Sequence, residues 1–354
     1  MRQLTDGSGL WPAGPRSLSI QQAEQIVAET GRILRLPGLR TLTPAVARVL
    51  ARHKDDLVLP GLRSIAADVA HCLAQQKGRL YLNGCRSLDI PAAKKLVAHG
   101  LDTIRESAAT CLRAREAWYL SLGQNDETAE TDDPRILAAS MPESIFIREQ
   151  TLSLSGLKKI PATLAEVLGE HRGELILDGV RELSDAAAAG LGKHFGSLDL
   201  NGLRSLTPNA ATNLAHGGGE WPRNLPLTVR LSLNGLKHLS PDAARGLARW
   251  QGPLWLNGLR RLPPAVAAAL ATFTPQDELD KLHLGVRRLS PAAAREFAPF
   301  RGTLSLDGLR TVSTDLAKAL VEVKGRIWLR RVSWLRQEAA EILFSRGGIH
   351  LWPC

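Results

Sequence analysis

The sequence predicts an α/β solenoid of about twelve strand–turn–helix repeats of 23 residues, with a parallel sheet on one face and short helices on the other. Three observations carry that prediction. A single frame recurs, anchored on Leu18, Leu42, Ile65, Leu88, Ile160, Leu183, Leu206, Leu239, Leu262, Leu289, Val312 and Leu335. The residue five after each anchor is Ala, from Ala23 to Ala340, and the residue eight after it is Leu in ten frames, with Ile26 and Phe297 in the other two. Most anchors are 23 residues apart, a period in the range of stacked repeat architectures.

Each repeat opens with a Leu-x-Leu pair, as in Leu80 and Leu82 or Leu198 and Leu200. Period two puts both leucines on one side of a strand and the middle residue on the other. A Gly follows two residues after the second Leu, usually preceded by Asn, Asp or Ser, and supplies a turn that tolerates positive φ. Ser or Thr after the anchor, often followed by Pro, is an N-cap with Pro at the first helical position (Thr43-Pro44, Thr207-Pro208, Ser240-Pro241, Ser290-Pro291). The helix that follows is too short to stand alone and must pack on its neighbours. Repeats of this length stack their strands in register, and twelve of them span roughly 60 Å.

The rhythm divides the chain into N-terminal repeats with a cap (1–100), a decayed repeat with an acidic insertion (101–150), and C-terminal repeats with a cap (151–354), in one continuous solenoid. Gln124–Asp133 carries five acids and no base. Two shorter inserts fall at His216–Leu227 and near Thr274–Asp280.

These features resemble the leucine-rich-repeat family over nearly the whole chain, in a divergent, bacterial-type form. The helical half, Ala-x-x-Leu-Ala at Ala244–Ala248 and Ala267–Ala271, is similar to the helix-bearing, ribonuclease-inhibitor-like class. The inward Asn of that family is replaced here by Leu or Val, as at Leu203, Leu236 and Leu259. The resemblance implies a protein-interaction scaffold without catalysis of its own.

Composition narrows the function classes. The net charge of +10 favours polyanions or acidic surfaces as partners. Four Cys at irregular spacing form no CxxC pair and suit a reducing compartment, with Cys85 standing in a core position. The N-terminus lacks the apolar run of a secretory signal, and no apolar stretch reaches membrane-spanning length, so a cytoplasmic monomer is expected. No P-loop, G-x-S-x-G elbow, H-E-x-x-H or Cys₄ spacing occurs, so neither enzyme activity, cofactor nor metal is expected.

Two surfaces emerge as candidates. The outer sheet face turns aromatic toward the C-terminus, and Tyr81, Trp255, His283, Trp328 and His350, with Arg326 and Arg330, are its candidate partner-binding residues, flanked by Lys281. The second is a column two residues before the anchor: Arg16, Arg40, Arg63, Arg86, Lys158, Arg181, Arg204, Lys237, Arg260, Arg287 and Arg310. Such a ladder beside helix N-termini suits a nucleic acid or another polyanion. Equally, these side chains can hydrogen-bond the carbonyls of the next coil with their stems on the Leu layer. A third series stands eleven after the anchor (His53, His99, His171, His194, with Gln76, Trp250, Phe273, Phe300 and Val323 elsewhere), a helix C-terminal position where His⁺ favours the dipole.

Overall fold

A computed structural model of the chain describes residues 14–98, 151–194, 196–216, 229–274 and 281–351. Twelve strands form one parallel sheet: β1 (Ile33–Arg35), β2 (Asp56–Val58), β3 (Leu80–Tyr81), β4 (Thr151–Ser153), β5 (Glu174–Ile176), β6 (Leu198–Asp199), β7 (Leu231–Ser232), β8 (Leu254–Leu256), β9 (Lys281–Leu284), β10 (Thr303–Ser305), β12 (Arg326–Leu329) and β14 (Ile349–Leu351). Two short strands, β11 (Thr311–Val312) and β13 (Trp334–Leu335), pair beyond the main sheet. Consecutive strands pair in register, Leu on Leu: Leu175 meets Leu198, and Leu231 meets Leu254. Strand β3 pairs directly with β4; residues 99–150, where the decayed repeat and the acidic insertion are expected, lie outside the described residues.

The frame residues build the interior. The Leu pairs of the strands, the Ala five after each anchor from Ala23 to Ala317 and the Leu eight after it pack into one continuous core, most of them fully buried. Alanine there leaves room for helices stacked at coil spacing, so the helices are only 7 residues long in most coils and still bury a complete inner face. Their starts follow the sequence signal. Thr43, Asp89, Ser184, Ser240, Ser290 and Ser313 each accept the N–H three residues on. The helices that begin after Ala66, Pro161 and Pro263 have no side-chain cap.

The turn glycines require a correction. Among the described residues only Gly173, Gly196, Gly252 and Gly348 have positive φ, and none of them is the turn Gly after the strand. That glycine is needed because coils stack backbone to backbone. A Cβ on Gly202, Gly235 or Gly258 would sit 2.2 Å from the carbonyl oxygen of Asp178, Asn201 or Asn234, respectively, in the preceding coil. The residue before it does more than turn the chain. Asp178 accepts the Asn201 N–H at 2.9 Å, Asn201 that of Asn234 at 3.0 Å, and Asn234 that of Asn257 at 2.9 Å. These side chains form a ladder that holds successive coils together. It stops at β9, where Leu284-Gly285-Val286 is one residue shorter than Leu256-Asn257-Gly258-Leu259.

Cys85 is fully buried, with burial pushing its thiol up to about 11, so it is an inert core residue.

Candidate functional site

On the outer sheet face, side chains from neighbouring strands form rows because every strand is in register. In the row of middle residues, Ser153, Asp199, Ser232 and Ser305 are buried, whereas Trp255, His283 and Trp328 are half-buried and His350 is exposed. The short residues sit low and the rings stand over the surface.

The C-terminal rows gather most of the residues that the sequence singles out. Trp255 and His283 on adjacent strands meet edge to face, with ring centroids 5.2 Å apart. Trp328 and His350 repeat that contact at 6.4 Å. Ser305 lies between the two pairs, in register with both His283 and Trp328. Because it is small, Lys281 on β9 reaches past β10 to place Nζ 4.0 Å from the centroid of Trp328. Arg330, two residues along from Trp328, brings its guanidinium to 4.1 Å from the same centroid. Two cations therefore share one indole. Burial lowers the Lys281 pKa, and the nearby Arg330 charge lowers it further. The same setting, burial first, pushes His283 down to about 4 against the attraction of Asp307, so its imidazole is neutral near pH 7. Asp307 itself accepts from Ser305 at 2.7 Å through one oxygen, while its other oxygen is buried without a hydrogen-bond partner among the described residues. Arg326, exposed, sits in the row of Lys281 and Thr303.

Tyr81 does not join this cluster. It lies on β3, separated from Trp255 on β8 by four strands, and is half-buried between Val58 and Ser153.

The middle strands carry a network absent from the sequence reading. Arg230, just before β7, hydrogen-bonds Asp199 through Nε at 3.2 Å and Nη2 at 3.1 Å, and forms an ion pair with Glu174 on β5. Thr151 donates to Glu174 at 2.6 Å. Burial raises the Asp199 pKa, with the Arg230 contacts opposing it. The guanidinium of Arg230 also stands 5.4 Å from the Trp255 centroid, which links this network to the aromatic cluster. The signal available in the sequence was a parity match: Glu174, Ser197 and Arg230 all immediately precede the first strand Leu and face the same way.

The basic column is where its spacing puts it. Arg40, Arg63, Arg86, Lys158, Arg181, Arg204, Lys237, Arg260, Arg287 and Arg310 are all exposed. Their main chains bond coil to coil, as in Arg86 N–H to Arg63 O at 2.8 Å and Arg287 N–H to Arg260 O at 3.1 Å. Among the described residues, only Arg40 of this column uses its side chain to bond a neighbouring coil, donating to Gly61 O at 3.1 Å.

The series eleven after the anchor is corrected in its chemistry. His53, Gln76, His171, His194, Trp250, Phe273, Phe300 and Val323 are buried, forming a column inside the coil edge. His194 places Nε2 3.0 Å from Gly173 O and 3.3 Å from Ser197 O, so Nε2 carries the proton. Burial pushes its pKa down to about 4, and its ring stacks on His171 at 5.9 Å. A neutral imidazole cannot serve the helix dipole as a cation; it closes the core. Gln76 and Arg346 make the equivalent bond, to Asp55 O and to Gly325 O at 3.1 Å. Among the described residues, no group of three His, Cys, Asp or Glu is placed to hold a metal, and no helix is long and apolar enough to cross a membrane.

No protein-family model matches the chain, and no curated protein matches it in sequence. Among solved structures the chain is similar to an internalin from Listeria monocytogenes, at 12% identity over 94% of this chain and 88% of that chain, with a TM-score of 0.38. The leucine-rich-repeat-like solenoid rests on the coils themselves: twelve parallel strands in one sheet, each pair of Leu buried against Ala-bearing helices.

Proposed function

We propose that the protein is a non-catalytic repeat scaffold that binds a protein partner through its outer sheet face, centred on Trp255, His283, Trp328, Arg330 and His350. One observation carries the reading: Lys281 and Arg330 converge on Trp328 within 4.1 Å, inside a surface of two Trp–His pairs. Half-buried aromatic rings beside cations are the composition of binding hot spots. Two like charges held against one ring repel each other, and a carboxylate from a partner would relieve that repulsion. The preferred ligand is therefore an acidic segment carrying an aromatic or aliphatic anchor.

A random peptide library displayed on phage and selected against the full chain tests this. Enrichment of acidic peptides that bind wild type, and bind Trp328→Ala at least about 30-fold more weakly, is the expected result. Enriched peptides that bind the Trp328→Ala and Lys281→Ala/Arg330→Ala variants as tightly as wild type would place the interface elsewhere.

A further inference from the structure

A second surface, on the strand-to-helix edge rather than the sheet face, has its own ligand chemistry. In the five consecutive turns 234–240, 257–263, 285–290, 307–313 and 330–336 there are nine Lys or Arg and one carboxylate, in a chain with 45 bases and 35 acids overall. All nine (Lys237, Arg260, Arg261, Arg287, Arg288, Arg310, Arg330, Arg331 and Arg336) are exposed. The one acid, Asp307, is engaged by Ser305. In the earlier coils this edge carries mostly one base per turn; here Arg261 and Arg288 add a second row, and their backbones pair in register.

That second row ends on an aromatic ring. Trp334 pairs with Thr311 in the small outer sheet, in the row of Arg261 and Arg288, and is 57% exposed. The guanidinium of Arg336 lies 5.7 Å from its centroid. An exposed indole at the end of a double row of bases is not needed by the core, which closes with Leu329, Ala339 and Leu343.

We propose that this edge binds single-stranded nucleic acid, with the phosphates along Lys237, Arg260, Arg261, Arg287, Arg288 and Arg310 and one base stacked on Trp334. Coils step by about 4.8 Å, so the bases form a one-sided track at that spacing. A duplex strand winds away from such a track, whereas a single strand can extend along it. A row of charges alone would suit any linear polyanion; the indole adds a stacking contact that a nucleobase can make and a bare phosphate chain cannot.

Fluorescence anisotropy of a labelled oligo-dT 20-mer with the full chain tests the assignment, alongside an equal-length duplex and inorganic polyphosphate as competitors. Neutralising about six phosphates predicts a log–log salt slope near −4, so affinity should fall about 300-fold between 50 and 200 mM salt. Arg260→Ala/Arg261→Ala/Arg287→Ala/Arg288→Ala should flatten that slope. Trp334→Ala should weaken the oligonucleotide about tenfold while leaving polyphosphate competition with the wild-type strength. All these positions are exposed, and circular dichroism of each variant checks that it folds. No binding at 50 mM salt overturns the proposal. Equal binding of duplex, or indifference of the oligonucleotide to Trp334→Ala, overturns its single-strand and stacking parts and leaves a plain polyanion edge.

Discussion

The coils around β4 to β7 and those from β8 to β14 share one frame yet treat polar groups in opposite ways. In the middle coils the outer face carries acids, and Arg230 holds Glu174 and Asp199 together, so the charges are satisfied within the protein. The column inside the coil edge is polar there, with His171 and His194 buried. In the later coils that column is Trp250, Phe273 and Phe300, while the outer face holds rings with Lys281 and Arg330 against Trp328. The Leu and Ala positions are the same in both halves. Fold is thus specified by positions the two halves share, and surface chemistry by positions the frame leaves free. The middle coils spend their polar groups on internal bonds; the later coils present theirs outward.

The largest expected effect of that difference is acid sensitivity of the coil edge in the middle coils. His194 is neutral in the folded protein with its pKa near 4, against an ordinary value of 6.5 when unfolded. Between those values the unfolded chain binds more protons, so stability is lost as pH falls from about 6.5 to 4 and is level below that. The loss is on the order of 3 kcal/mol for this residue. His194→Gln breaks the effect cleanly, because Gln76 already makes the same coil-to-coil bond at the equivalent position without titrating. Hydrogen exchange followed from pH 7 to pH 4.5 should show coils β5 and β6 opening in wild type and resisting in His194→Gln. Acid opening of the coils around β9, where His283 is also pushed down to about 4, should be the same in both proteins. Equal acid opening of coils β5 and β6 in both proteins would remove His194 as the cause.

A smaller effect follows from Arg230. Its side chain is 28% exposed and its partners Glu174 and Asp199 are 14% and 12% exposed, so the pair is neither a surface bridge nor fully desolvated. Arg230→Met leaves two carboxylates together without a counter-charge and should cost about 1–2 kcal/mol at pH 7 after discounting for the remaining solvent screening. The deficit should shrink as pH drops, since Asp199, already raised by burial, then takes a proton more easily. Denaturant titrations at pH 7 and pH 4.5 read both. A deficit that persists undiminished at pH 4.5 would mean that Arg230 acts through packing on Trp255 instead.

How much of this was legible beforehand depended on whether a position's role is set within its own coil. The Leu-x-Leu strands, the buried Ala and the Ser/Thr caps are local signals and read correctly. The turn Gly was identified but for the wrong reason, because its constraint is a carbonyl from the preceding coil, 2.2 Å from where a Cβ on Gly258 would be. The buried His column was read as a charged helix end, since nothing in one repeat reveals that the next coil covers it. Trp255, His283 and Trp328 stand at one position of the frame and Arg330 flanks it, so the sequence singles them out; Arg230 was not singled out, because its partners Glu174 and Asp199 lie in other coils. Tyr81 shares the frame position but stands apart from the cluster, because a row also depends on which strands are neighbours.

The end of the turn ladder, one coil into the later half, gives the smallest effect and the sharpest localisation. The ladder ends with Asn257, because the turn that leaves β9 through Gly285-Val286 is one residue shorter. Asn234 accepts the Asn257 N–H at 2.9 Å and also donates to Ser232 at 2.8 Å, so Asn234→Ala should cost about 1 kcal/mol. Exposed Asn257 is the last rung, and Asn257→Ala should stay within about 0.5 kcal/mol of wild type. Exchange of the residue 257 amide reads the contrast directly: about fivefold faster in Asn234→Ala and unchanged in Asn257→Ala. If both variants were equally destabilised, the ladder would have to continue across the shortened turn.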